Sequence, residues 1–333
     1  MLIKQRRFLF PLTIQYDNRS FADGFGAQAL RIVGIFSIAR RYGLRYVHQP
    51  IHLDHPDELL GPDSSDQNLK ENYRLLRALL ALPSDNLPTR VNFKVINRKT
   101  ITRRILFKLI LKSIFSRTGL ILNLQLPQGI TDYRPDILER GAVFIRSNLL
   151  QMSSSNPDKS LVLHVRTGNR TVKTPRFNAL PQLRPDYFKS VMENSDLIRY
   201  KVIVHTDLFP EDLEAGTLTF RSGQFADFLH ELSTSYKAEI KNYAPMIEVL
   251  FDMASCEILV MGNSALSYFA GLLNTNTVYW PPIHGHAKLS RWQKGPELVA
   301  NRMTFLDPTD YTADPGPDHT VYRSRITDNW FRN

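Results

Sequence analysis

Along the second half of this chain, short apolar runs alternate with longer stretches in which apolar positions recur every three or four residues. Leu161-Val-Leu-His-Val-Arg166 predicts a strand ending in charge, Arg184 to Asn194 a helix, and Lys201-Val-Ile-Val-His205 a second strand. Pro245 to Ala254 reads as a helix with proline near its first turn, where a missing N–H does no harm. Glu257 to Met261 is the next strand, Ser264 to Leu273 the next helix, and Thr277-Val-Tyr279 a last strand. The first half opens in the same way. Phe8 to Tyr16 predicts a strand, and from Ala27 to Tyr42 apolar residues (Leu30, Val33, Ile35, Ile38, Ala39) fall at helical spacing. Gly43 supplies a stop for that helix, and Tyr46-Val47 starts another strand. This alternation implies an α/β fold of parallel, doubly wound sheets, in which ligands bind beyond the carboxyl ends of the strands.

At 333 residues the chain fits two domains better than one. Met152-Ser-Ser-Ser-Asn-Pro-Asp158 has the composition of a linker, which divides the chain into domains at 1–152 and 159–306, with a polar extension at 307–333. Residues 54–68, acidic and rich in Pro, Ser and Asp, read as an exposed loop.

Composition narrows the class. Hydrophobic residues at 43% and charged residues at 22% describe an ordinary globular protein. The one cysteine, Cys256, makes neither an internal disulfide nor a zinc site and fits a reducing compartment. The N-terminal apolar run is shorter than the roughly 7 to 15 residues of a signal core, and no stretch reaches the roughly 18 apolar residues of a membrane span, so the sequence predicts a cytoplasmic protein. Charge then changes the picture. Of the net +10, residues 1–150 hold 23 Lys and Arg against 12 Asp and Glu, leaving 19 against 20 for the remainder. The first half is therefore expected to meet something anionic, although a basic solubilising surface has the same signature. Its densest part, residues 98–117, carries seven cations and no acid, with Arg104, Lys108 and Lys112 four apart. That pattern suits a helix lying on an anionic bilayer, and equally a core helix with one solvated stripe.

Three segments can carry chemistry. His164 and Arg166 share one face of a strand end that continues into Gly168-Asn169, where an arginine fork can hold a diphosphate. Gly262-Asn263-Ser264 joins a strand to an apolar helix, and the capped helix start is a ready anion site. Asp23-Gly24-Phe25-Gly26-Ala27-Gln28 is another strand-to-helix passage, with glycines where a phosphate or sugar could press on the backbone. Taken singly, the strand end also fits a packed histidine beside a paired arginine, the second turn an ordinary helix cap, and the third a tight turn. Three in one chain favour a nucleotide ligand.

In order and in type these segments resemble those of the GDP-fucose-dependent fucosyltransferases of GT-B architecture. The matching residues are Gly24-Phe-Gly26-Ala27-Gln28, His164-Val-Arg166-Thr167-Gly168-Asn169, and Cys256 through Asn263-Ser264. The central segment is most similar to the nodulation-type α-1,6 enzymes and the last to the α-1,2 enzymes. Ala27, where the family has Asn, and Thr167, where a second Arg is common, depart from the pattern. The resemblance implies two Rossmann-like domains facing each other and a donor site in the second. It places His164 at the guanine or ribose and Arg166 and Ser264 at the phosphates. Glu248, in preference to Asp252, would bind the guanine edge, and Asp207 would be a site-facing acid. It further implies inverting transfer of fucose from GDP-fucose, with no cofactor, to a glycan or lipid-linked acceptor. The chain has no D-x-D motif, so the sequence predicts a metal-independent reaction in which Arg166 and a helix start offset leaving-group charge. Candidate bases are His48, His52, Asp54 and Asp23, each of which also fits a solvated loop; Asp23 is the one placed in the site. Two other readings are open: a transferase-like protein without catalysis, and a basic nucleic-acid-binding module. Against the second, the cations cluster with aliphatic side chains rather than with aromatic ones.

Overall fold

In a computed structural model of the chain the described residues are 12–17, 24–51, 66–87, 92–98, 101–115, 119–125, 135–152, 159–165, 183, 185–193, 199–206, 220–242, 244–281 and 288–294. Strands β1 (Leu12–Tyr16), β2 (Arg45–Val47), β3 (Phe93–Arg98) and β4 (Gly119–Leu124) form a four-stranded sheet in the order β2-β1-β4-β3. Strands β5 (Ser160–Val165), β6 (Lys201–Thr206), β7 (Glu239–Asn242), β8 (Ile258–Val260), β9 (Thr277–Trp280) and β10 (Gln293–Lys294) form a second sheet in the order β10-β9-β8-β5-β6-β7. All the pairings are parallel. Among the described residues the helices are α1 (Phe25–Tyr42), α2 (Asp66–Leu79), α3 (Arg103–Phe115), α4 (Pro135–Met152), α5 (Pro185–Glu193), α6 (Phe220–Ser235), α7 (Met246–Ser255) and α8 (Ala265–Leu273). The parallel α/β fold expected from the alternation is the observed one.

Alternation along the strands decides what each face meets. In the second sheet Leu161, Leu163, Val165, Val202 and Val204 face one way and pack with Tyr187, Phe188 and Val191 of α5 and Phe228 and Leu232 of α6. Val162, Ile203 and Leu259 face the other way, into a cluster with Leu250 and Met253 of α7 and Phe269 and Leu272 of α8. The same cluster takes in Leu12 and Ile14 of β1, Leu122 of β4, Ile32 and Phe36 of α1 and Ile145 of α4. One apolar layer thus joins the two sheets through α1, α4, α7 and α8. Helix α1 lies in the middle of it and is buried at every position from Phe25 to Ala39. Apolar residues dominate this stretch, with Gln28, Arg31 and Ser37 its buried polar members, and a helix of that kind needs every side covered. Its end is the expected one: Gly43 adopts a left-handed conformation (φ 63°), and the Gly43 and Leu44 N–H groups both return to the Ala39 carbonyl.

Among the described residues several boundaries shift by a single residue from those read in the sequence and two by more than that. Helix α1 begins at Phe25 rather than Ala27, because the Phe25 ring packs edge-on against Phe269 of α8, with centroids 6.0 Å apart. The acidic stretch expected to run as a loop to residue 68 gives way to α2 at Asp66. Composition alone therefore does not mark where this helix starts. The linker segment 153–158 lies outside the described residues.

Gly26 is where α1 and α8 meet most closely. A Cβ at that position would run into the Leu266 backbone nitrogen, with Leu266 Cα at 2.6 Å and the Ala265 carbonyl carbon at 2.8 Å. Gly24, by contrast, has nothing within 4 Å of an added Cβ. Gly26→Ala is therefore expected to destabilise the fold by roughly 1–3 kcal/mol, the range for overpacking against atoms that cannot yield. Gly24→Ala should leave thermal unfolding near that of the parent; equal melting of the two variants would contradict the helix contact.

Candidate functional site

Strands β5 and β8 are neighbours, and the chain leaving β8 turns at once through Gly262 and Asn263 into α8. Ser264 is extended (φ −151°, ψ 152°), which ends the strand direction and lets its Oγ accept from Ser267 N at 3.0 Å. Gly262 lies against β5 so closely that a Cβ would overlap the His164 carbonyl oxygen. Its N–H donates to Ser267 Oγ (3.1 Å), and that oxygen is also hydrogen-bonded to His164 Nδ1. Ser264 Oγ lies 3.5 Å from the same nitrogen. Ser267 is fully buried, so its hydroxyl proton needs an acceptor. With Gly262 already donating to the oxygen, that proton goes to His164 Nδ1, which puts the ring proton on Nε2. The imidazole at the end of β5 is thus held in one tautomer by the first turn of α8.

The starts of α1 and α8 touch at Gly26 and Leu266. Neither has an acid in its first turn, and Gly24, the residue capping α1, has no side chain to offer. Each helix start carries about half a positive charge. Two such ends in contact, uncompensated by any carboxylate of their own first turns, define a place for an anion beside His164. The far end of α8 is treated differently. Arg146 donates to the Leu272 and Leu273 carbonyls (2.6 and 2.7 Å), and Arg291 donates to those of Gly271, Leu272 and Asn274 (3.1, 3.2 and 2.6 Å). Glu139 bridges to Arg291 at 2.5 Å. Among the described residues cations therefore meet the carbonyl end of α8, while its N–H end has the Ser264 cap and no acid in its first turn.

Of the residues placed in the site by the sequence, His164, Asn263, Ser264, Gly24 and Gly26 come together at these two helix starts. Gly24 and Gly26 were expected to make room for a ligand; at Gly26 the backbone instead makes room for α8. Arg166, Gly168, Asn169, Asp207 and Asp23 lie outside the described residues. Arg166 directly follows β5, Asp207 directly follows β6, and Asp23 directly precedes Gly24.

Glu248 stands in the first turn of α7, where its Oε1 accepts from Lys241 Nζ at 2.7 Å. Lys241 also reaches Asp252 Oδ2 at 2.8 Å, and the same oxygen is 2.9 Å from His205 Nε2. His205 pairs with His164 in the sheet register, so both rings face the α7–α8 side. Burial raises the Asp252 carboxyl, but the hydrogen bonds from His205 and Lys241 outweigh it and hold it below the ordinary carboxylate range. Among the described residues His205 Nδ1 is buried without a partner. Another sequence candidate, His48, bonds through Nδ1 to Tyr46 Oη at 3.1 Å. Burial first, then the Arg77 guanidinium, lower its pKa and favour the neutral ring. At the same end of the first sheet an amide row crosses the strands. Gln49 donates to Gln15 (3.3 Å), Gln15 to Asn123 (2.5 Å) and Asn123 to Asn97 (2.9 Å).

Cys256, a match in the sequence resemblance, is buried and structural. Its thiol donates to the Met253 carbonyl at 3.3 Å, and burial pushes its pKa up. Asn274 ties the same corner, donating to the Met253 and Cys256 carbonyls at 2.9 and 3.0 Å. Sequence reading missed Ser267, Lys241, Arg146 and Arg291. Only Ser267 left a trace, as a second serine three residues after the cap.

No protein-family model matches the chain, and no curated protein matches its sequence. Among solved structures it is similar to the E. coli heptosyltransferase WaaC with ADP-2-deoxy-2-fluoro heptose, at 10% identity over 84% of this chain and 91% of that one, with a TM-score of 0.39. POFUT1 in complex with GDP gives 11% identity, 80% and 96% coverage and a TM-score of 0.39. The Methanocaldococcus jannaschii UDP-GlcNAc 2-epimerase in complex with UDP-GlcNAc and UDP gives 10%, 95% and 99%, and 0.30. These are likenesses of general arrangement, and no residue role passes from them to this chain.

Two measurements check the site as described. Ser267→Ala removes the acceptor of the Gly262 N–H and the donor to His164, which should cost about 1–3 kcal/mol. Imidazole nitrogen NMR should then show His164 no longer fixed as the Nε2–H form, whereas an unchanged tautomer would contradict the assignment. For Asp252, a folded pKa below the unfolded one means that the native state binds fewer protons in the acid range. Its contribution to stability is complete above the ordinary carboxylate value and is lost as pH falls through the lowered one. The melting temperature of Asp252→Asn should therefore fall less steeply with acid than that of the parent.

Proposed function

We propose that the chain is a glycosyltransferase that takes its sugar from a nucleoside-diphosphate donor. The observation that carries this reading is the contact of two helix starts without first-turn acids, at the end of β5 beside His164. A diphosphate fits such a place because its charge is spread over several oxygens that N–H donors can share. Arg166, the residue after β5, would supply a fork to the same oxygens, and Ser264 would add its hydroxyl. The proton on His164 Nε2 makes that ring a donor to a phosphate or ribose oxygen.

The finer proposal is GDP-fucose as donor, with inversion at the sugar carbon. It rests on the ordered resemblance of the three segments to fucosyltransferases. In the reaction the acceptor hydroxyl oxygen forms a bond to the anomeric carbon as the bond from that carbon to the β-phosphate oxygen breaks. The electron pair leaves with GDP, and the hydroxyl proton passes to a base, for which Asp23 beside the α1 cap is proposed. Positive helix ends act where charge develops on the departing phosphate and are fixed before the reaction begins. Glu248, with one oxygen on Lys241, is proposed at the guanine edge. The amide row Gln49-Gln15-Asn123-Asn97 suits an acceptor glycan, since amides offer a donor and an acceptor to each sugar hydroxyl. The proposed setting is the cytoplasm.

Calorimetry with GDP tests the donor site. Micromolar binding is expected, weakened about tenfold or more by His164→Ala, in line with one lost charge-assisted contact, and abolished by Arg166→Ala. Absence of binding to every nucleoside diphosphate tried would overturn the proposal, and tighter binding of ADP or UDP than of GDP would overturn its fucose form.

A further inference from the structure

Helix α3 has two apolar sides. Leu106, Leu109 and Ser113 are buried on one of them, against the core that α3 shares with β1 and β4. On the other, Phe107 is 60% exposed, Leu111 37%, Ile114 45% and Phe115 84%. Beside this apolar row runs a cationic one, since Arg103, Arg104, Lys108 and Lys112 are all exposed. The helix is well formed: Thr102 accepts from Ile105 N through its Oγ1 (3.3 Å) and from Leu106 N through its carbonyl (2.9 Å). No acidic residue occurs anywhere from 86 to 131. Edge strand β3, just before α3, adds exposed Lys94 and Arg98.

We propose that the outer face of α3 is a docking surface for an anionic lipid bilayer, on which the helix lies flat. Its 13 residues span about 20 Å, short of the roughly 30 Å of a hydrocarbon core, so the helix rests on the membrane instead of crossing it. Among the described residues no helix is long and apolar enough to cross. The combination of groups selects this partner. Lipid phosphates answer the four cations, and the acyl boundary takes two phenyl rings and two aliphatic side chains that water does not solvate well. A second copy of the chain would set like charges against each other. A nucleic acid would satisfy the cations yet leave Leu111 and Ile114 with no apolar partner.

The full chain is tested by flotation with phosphatidylcholine vesicles and with vesicles of phosphatidylcholine and phosphatidylglycerol. Binding is expected to the second and not to the first. Lys108→Gln with Lys112→Gln should weaken it about thirty-fold, given the usual contribution of each cation near an anionic surface. Phe107→Ser with Phe115→Ser should abolish the part that survives high salt. All four side chains are exposed, so melting temperature and GDP binding should match the parent and separate this result from any failure of the donor site. The proposal is overturned by no flotation with anionic vesicles, by equal flotation with neutral ones, or by double variants that float like the parent. It is also overturned if the variants lose binding to a single-stranded oligonucleotide while vesicle binding is unchanged.

Discussion

The rest of the site depends on a backbone-to-backbone contact, Gly26 of α1 against Ala265 and Leu266 of α8. In parallel sheets each helix that follows a strand starts at the carboxyl edge, so every such start brings its partial positive charge to that edge. Two separate sheets would keep their helix starts apart. Here α1 and α8 share one apolar layer and touch at their first turns, and the absence of a side chain at residue 26 is what permits the approach. The position of one sheet's helix relative to the other is then set by atoms with no rotamer freedom. That contact brings the start of α1 to the start of α8, whose preceding turn lies against the end of β5.

Such an arrangement raises the electrostatic energy unless something answers it. Surface helices commonly answer their own starts with an Asp or Glu in the first turn, at about 0.3–1 kcal/mol each. Helix α7 does so with Glu248. Helices α1 and α8 do not, although the opposite end of α8 is held by two arginines against its carbonyls. Among the described residues charged side chains meet the carbonyl end, whereas the N–H end is met by the Ser264 hydroxyl. The difference within one helix suits the diphosphate proposed for this place, which would meet the N–H end with charge as the arginines meet the other. His164 belongs to the same logic. Its proton position follows from Ser267, which α8 itself provides, so the ring and the helix start act as one unit.

The strand-helix rhythm was legible because strands buried on both faces read as apolar runs, as in Leu161 to Leu163, whatever their tertiary partners. The end of α1 was legible because Gly43 is needed for a left-handed turn. Less could be read where one composition serves two structures. The acidic start of α2 looked like a loop, and the basic stretch around α3 fitted a core helix and a surface helix equally well. Its structure is both at once, with Leu109 buried and Phe115 exposed on opposite sides. Pairings between elements left no trace in either one: Lys241 of β7 with Glu248 and Asp252 of α7, or Arg146 of α4 with the end of α8, are set by how the elements pack. The glycine turn at 24–26 was recognised as special, but a close approach in sequence looks the same whether the visitor is a phosphate or another helix, and at Gly26 it is another helix.

Charge and apolar exposure on α3 carry the proposed docking further than net charge can. A basic half-chain attracts any polyanion, and the long-range part of that attraction is the same for a lipid surface and a nucleic acid. What separates them is the short-range part, where apolar area must leave water to contribute about 25 cal/mol per Å². Phenyl rings could stack on bases, but Leu111 and Ile114 have no place in a groove lined by sugars and phosphates. They have one at the acyl boundary of a bilayer. The same apolar row, left bare, is an aggregation hazard, and under the proposed docking the cations beside it would repel other copies of the chain until an anionic surface is met. Attraction and solubility on this face thus come from the same four side chains, so weakening the charge should release both membrane binding and the restraint on self-association.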